Sequence, residues 1–126
     1  MKDRAFFDTN MLVYLYSNDD ERKKMACRDA LKRYSPTVST QVINELCNTF
    51  TKKLKLPASD VDRVVNRVTS FFHVEIVDLH VISHALNLHG KFSYSYFDCL
   101  MLSSAMLSGC RYIISEDMQD GHNVDG

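Results

Sequence analysis

Proline and glycine are scarce in this chain: two prolines (Pro36, Pro57) and four glycines among 126 residues. Such sparse punctuation excludes a loop-rich or low-complexity protein and points to helices with short connections. No apolar run is long enough to span a bilayer, and Met1-Lys2-Asp3-Arg4 leads at once into a strand-like and polar run, so neither a membrane anchor nor a signal peptide is expected. The four cysteines, Cys27, Cys47, Cys99 and Cys110, include no C-x-x-C pair. Each sits in a periodic apolar stretch, which favours buried thiols in a reducing cytoplasm over a disulfide framework or a zinc site. An excess of one charge is also missing: 15 Lys and Arg stand against 16 Asp and Glu, for a net charge of −1. No global field draws this chain to a polyanion, so a local basic patch or a metal would have to supply the attraction.

What is present fits one domain. The length suits a single core, and an apolar fraction of 45% is enough to fill it. Ala5-Phe6-Phe7 reads as a strand that stops at the polar Asp8-Thr9-Asn10. A short helix over 11–16 follows, then a second one opened by Asp19-Asp20-Glu21, whose acids suit a helix start. Thr37-Val38 forms a brief strand, and Ser39 or Thr40 caps a helix bearing Val42, Ile43, Leu46 and Phe50. Val61, Val64, Val65 and Val68 are β-branched, but their i, i+3, i+4, i+7 spacing predicts a helix. Val74 to Val77 is a third strand, with a helix following from Asp78 or Leu79. Another helix spans about 95–108 and ends at Gly109, and Arg111 to Ile114 is a fourth strand. Strands alternating with helices predict an α/β fold, a parallel twisted sheet of four to five strands flanked by helices on both faces.

In such sheets, ligands sit beyond the carboxyl ends of the strands. Asp8 follows the first strand directly, and Asp117 follows the last by three residues. Glu45 lies between Ile43 and Leu46, near the face expected to be buried. Asp98 lies in Tyr96-Phe97-Asp98-Cys99-Leu100-Met101-Leu102, the most apolar stretch, where an ionised carboxylate is costly unless paired or metal-bound. Four such acids suit a hard cation, Mg²⁺ or Mn²⁺, which prefers oxygen ligands. Zinc fits less well: His80 and His84 share an i, i+4 spacing but lack the glutamate of a metalloprotease motif. Structural roles stay open for each residue. Asp8 and Asn10 could cap the first helix, Glu45 could face solvent, Asp98 could cap its helix in competition with Ser93 and Ser95, and Asp117 could be a turn acid. The basic runs Arg22-Lys23-Lys24, with Arg28, Lys32 and Arg33, and Lys52-Lys53-Lys55 read as solvated helix faces.

Taken in order, Phe6-Phe7-Asp8-Thr9-Asn10, Thr40-Gln41-Val42-Ile43-Asn44-Glu45, the block from Tyr96 to Ala105 and the block from Gly109 to Gly121 resemble the four motifs of PIN-domain nucleases, and among them the VapC-type toxins of bacterial toxin–antitoxin pairs. The resemblance implies a Mg²⁺- or Mn²⁺-dependent ribonuclease, a homodimer, and inhibition by an antitoxin protein entering the acidic cleft. It puts the catalytic, metal-binding acids at Asp8, Glu45, Asp98 and Asp117, and supporting polar groups at Asn10 and Ser115. Glu116 stays outside the ligand set. One departure concerns the end of the chain: the family usually continues past the Gly121 region into a final strand, which is expected here to be shortened or missing.

The mechanism that follows is attack by a metal-activated water on an RNA phosphodiester, with a carboxylate such as Glu45 taking the proton. The alternative is a PIN-like scaffold that binds RNA or a partner without cutting. A phospho-receiver would need a lysine after the last strand, and residues 115–121 contain none.

Overall fold

Among the described residues, five of the six helices begin where a short polar side chain accepts a free backbone N–H. The computed structural model describes residues 1–115 and the backbone of 122 and 123. Its elements are β1 (Arg4–Phe7), α1 (Thr9–Tyr16), α2 (Glu21–Arg33), β2 (Ser35–Ser39), α3 (Thr40–Lys52), α4 (Ala58–Phe71), β3 (His73–Glu75), α5 (Leu79–Lys91), α6 (Tyr96–Leu107), β4 (Tyr112–Ile114) and β5 (His122–Asn123). Asp8, Asp20, Ser39, Asp78 and Ser95 cap α1, α2, α3, α5 and α6 respectively. Each supplies an oxygen to an N–H that the helix itself cannot satisfy. Pro57 opens α4 without a side-chain bond; its fixed φ suits a helix start. At the other end of α6, Gly109 takes a φ of +77°, a left-handed turn that a side chain would strain.

The sheet order is β3-β2-β1-β4-β5. The first four strands are parallel to their neighbours, and β5 pairs antiparallel to β4. The expected α/β fold with a parallel sheet is therefore the observed one. Ala5, Phe6 and Phe7 are all fully buried. Successive strand residues point to opposite faces, so β1 is covered on both. Pro36 lies within β2, paired with Ala5, rather than at the end of the preceding helix. Phe7 meets Phe72 edge-on with ring centres 5.6 Å apart. A second apolar cluster, Val81, Ala85, Leu88, Cys99 and Leu100, joins α5 to α6, and Leu102 touches both clusters. The α5–α6 pair is further fixed by Ser103, whose hydroxyl donates to the Val81 carbonyl at 2.9 Å. That hydroxyl also lies 2.9 Å from His84 Nδ1, so the network assigns the ring proton to Nδ1.

Cys27, Cys99 and Cys110 are buried thiols as expected, while Cys47 is only partly buried. Burial pushes the Cys27 thiol up to about 12, which makes it inert as a nucleophile at neutral pH. No helix among the described residues is long and apolar enough to cross a membrane.

Phe7→Ala is expected to cost about 3–5 kcal/mol, because it empties a fully packed position at the centre of the sheet. Urea unfolding followed by circular dichroism measures this; a loss below about 1 kcal/mol would mean that β1 is not the core strand described.

Candidate active site

β1 lies between β2 and β4, and the chain passes from the β2–β3 side of β1 to the β4 side late in the sequence. A crevice opens at such a switch point, beyond the carboxyl ends of the strands. The register pairs Phe7 with Ile114, so Asp8 and Ser115 are the next residues at the same edge. The Asp8 N–H donates to the Ile114 carbonyl at 3.0 Å and ties the two strand ends together.

A cleft of about 450 Å³ sits at this edge, and Asp8, Asn10, Glu45 and Asp98 all line it. Three of the four expected acids thus come together. Asp117 and its neighbour Glu116 lie outside the described residues. Ser115 is buried at the end of β4 and does not line the cleft. Asn10 does line it, from the first turn of α1.

Each acid is positioned by a helix start. Asp8 caps α1, with Oδ1 accepting from the Thr9 N–H at 2.7 Å. Ser39 caps α3 through the Val42 N–H at 3.2 Å, which brings Glu45 round on the second turn. Ser95 Oγ accepts from the Asp98 N–H at 3.1 Å and opens α6. Three helix N-termini therefore face one cleft, and their dipoles favour negative charge there.

The expectation that Asp98 is buried is corrected: it is exposed. The apolar stretch around it does not surround it, because on α6 Cys99 and Leu100 turn inward while Phe97 and Asp98 face out. The first turn of a helix is a favourable place for a carboxylate, so Asp98 needs no metal to account for its position.

Glu45 is the electrostatically marked group. Its residue surface is largely accessible, but its carboxyl reaches part-way into the cleft. Loss of water around the carboxyl raises its pKa, and the negative charge of Asp8 raises it further; nearby Thr9 acts weakly the other way. The Thr9 hydroxyl oxygen is itself buried without a partner in hydrogen-bond geometry, so its proximity to Glu45 falls short of a full bond.

A hard cation fits this donor set. The acidic donors are all carboxylates, Asp8 and Glu45 repel each other, and the buried Thr9 hydroxyl in the same cleft has no hydrogen-bond partner among the described residues. No three His, Cys, Asp or Glu side chains converge tightly enough to form a closed metal cage among the described residues. Magnesium tolerates that, since it usually keeps several waters.

Sequence reasoning passed over Thr9, Gln41, Asn48, Lys53 and Phe97, all of which line the cleft. A signal was available: Gln41, Glu45, Thr49 and Lys53 recur every four residues along one face of α3. Lys53 thus leaves the solvated basic run and joins the cleft. Lys24 and Arg28 line a separate groove with Arg67.

The PIN domain family model matches residues 5–119. The chain belongs to the PIN domain family. Among solved structures it is similar to a toxin–antitoxin complex from Klebsiella pneumoniae, with 19% identity, 92% of this chain and 88% of that chain covered, and a TM-score of 0.70. It is also similar to VapC20 of Mycobacterium tuberculosis, a toxin that cleaves the sarcin–ricin loop, with 18% identity, 91% of each chain covered and a TM-score of 0.70. No curated protein matches the sequence closely enough to count as a relative.

The raised Glu45 pKa has a consequence for stability. Ionised Glu45 costs stability in the folded protein, so that cost is absent below the ordinary value of 4.5 and complete once pH exceeds the raised, folded-state value. In chelator, Glu45→Gln should therefore raise Tm at neutral pH, and the gain should shrink as pH falls toward and below 4.5. Thermal melts across that range test it; a difference that does not vary with pH would contradict the assignment.

Proposed function

We propose that this chain is a divalent-metal-dependent endoribonuclease, acting in the cytoplasm as the VapC-type toxin of a toxin–antitoxin pair. The observation that carries this reading is the convergence of Asp8, Glu45 and Asp98 on one cleft at the sheet's carboxyl edge. Membership of the PIN domain family and the likeness in fold to VapC20 and to the Klebsiella toxin–antitoxin complex support it.

Asp8, Asp98 and Glu45 would hold the cation, with Asp117 as the fourth acid by its place in the family motif. A bound Mg²⁺ or Mn²⁺ supplies Lewis acidity at a phosphate and lowers the pKa of coordinated water. The chain's own groups do the rest. Glu45, which lines the cleft with Asp8 and Asp98, accepts a proton from the attacking water. Asp8 is held by its cap bond to the Thr9 N–H, which fixes its orientation during turnover. The dipoles of α1, α3 and α6 stabilise negative charge accumulating on the phosphate. Asn10 positions a phosphate oxygen from the cleft wall, and Ser115 supports the strand end that carries Asp8. The cognate antitoxin would inhibit by occupying the same cleft, and two copies would associate as a homodimer.

The test is cleavage of RNA in Mg²⁺ or Mn²⁺, in chelator, and by variants. Chelator and Asp98→Asn should each abolish or strongly reduce cleavage, and Glu45→Gln should slow it by roughly 10²–10⁴-fold. Cleavage that survives both chelator and Asp98→Asn would overturn the proposal. RNA binding with no turnover in Mn²⁺ would point instead to a non-catalytic scaffold.

A further inference from the structure

The cleft holds more than acids. Phe97, on the first turn of α6, is 64% exposed although it is a large apolar ring. It stands edge-on to Tyr96 at 5.5 Å and leaves its surface open to the cleft. α3 and its C-cap residue contribute Gln41, Asn48 and Lys53 to the same cleft. Among the described residues, no hydrogen bond or ion pair engages the side chains of Gln41, Asn48 or Lys53. Eight residues separate Glu45 from Lys53, about 12 Å along the axis at the usual helical rise. Along this wall Glu45 thus stands about two turns before the lysine, with Asn48 between them.

That order of groups suits one kind of ligand. A phosphate held at the acids through a cation would be followed toward Lys53 by the Asn48 amide, which can both donate and accept, and then by an ammonium. An exposed aromatic face beside the acids offers stacking to any base. We propose that Phe97 and Lys53 form a flanking-nucleotide subsite for single-stranded RNA: Phe97 stacks a base next to the scissile phosphate, and Lys53 holds a neighbouring phosphate. Asn48, which stands between Glu45 and Lys53 along the helix, meets the base edge and biases which base is accepted. These are positioning and specificity residues, and their assignment rests on the reading of the cleft as a nuclease site. A duplex would bind poorly, because its bases are already stacked and cannot reach Phe97.

The test is fluorescence anisotropy with a labelled single-stranded oligoribonucleotide of mixed sequence. The full chain is used with Mg²⁺, and with Glu45→Gln to slow turnover. Phe97→Ala should weaken binding roughly tenfold without changing its salt dependence, and Phe97→Tyr should restore it. Lys53→Gln should reduce the slope of log K against log salt by about 0.7, the effect of one lost phosphate contact on a single strand. A purely structural role for either residue would not separate affinity from salt slope in this way. Unchanged binding in both variants, or no binding by the protein with its acids intact, overturns the subsite. The two proposals can fail separately. If binding depends on Phe97 and Lys53 but the unsubstituted protein never cuts RNA with Mg²⁺ or Mn²⁺, the subsite stands and the nuclease reading falls. Cleavage with no dependence on Phe97 and Lys53 gives the converse.

Discussion

Parallel pairing of β1 with a neighbour on each side brings three strand ends to one level, and the rest of the site depends on this. The register that sets Phe7 beside Ile114, and Phe6 beside Thr37, leaves Asp8, Ser39 and Ser115 at one edge. Two of these residues then start helices, because their side chains can take up a free N–H. An acid at a strand end is therefore also a helix cap, and the same bond that starts α1 orients Asp8. A one-residue slip of β1 would move its apolar residues to the wrong faces and carry Asp8 away from the cleft.

Collecting carboxylates costs stability. Asp8 and Glu45 oppose each other's ionisation, and partial burial adds to the cost at Glu45. The converging starts of α1, α3 and α6 offset part of this, each helix end contributing roughly half a positive charge. The remainder is the kind of local strain expected where function rather than stability sets the residue. Under the proposed function, a cation relieves it and the relief itself contributes to metal binding. The cleft is also asymmetric. Phe97 stands next to Asp98, whereas Lys53 lies about two helical turns after Glu45.

Much of this was legible from residue order. The strand–helix alternation, the helix starts at Ser39 or Thr40 and at Asp78 or Leu79, the glycine at 109 and the helical reading of the Val61–Val68 stripe all follow from local rules and match the fold, which settles the caps on Ser39 and Asp78. Asp8 was readable both as a strand-end acid and as a cap of the first helix, and the fold makes it both. Asp98 was read correctly as a cleft residue but for the wrong reason. Counting apolar neighbours along Tyr96–Leu102 ignores that a helix's first turn can hold Phe97 and Asp98 outward while Cys99 and Leu100 point in. Thr9 was missed because a threonine after a capping acid looks ordinary; only the tertiary packing leaves its hydroxyl buried and unpartnered. Lys53 was hidden in a lysine-rich run, where charge alone does not say which lysine faces the cleft. Asp117 lies outside the described residues, so its place as the fourth acid rests on the family motif.

Titrating the Glu45 side-chain carboxyl by NMR tests the central claim most directly, first free of metal and then with saturating Mg²⁺. The account predicts a pKa above the ordinary 4.5 without metal, a fall when Mg²⁺ binds, and a fall in metal-free Asp8→Asn. An ordinary value that responds to neither Mg²⁺ nor the loss of the Asp8 charge would contradict it.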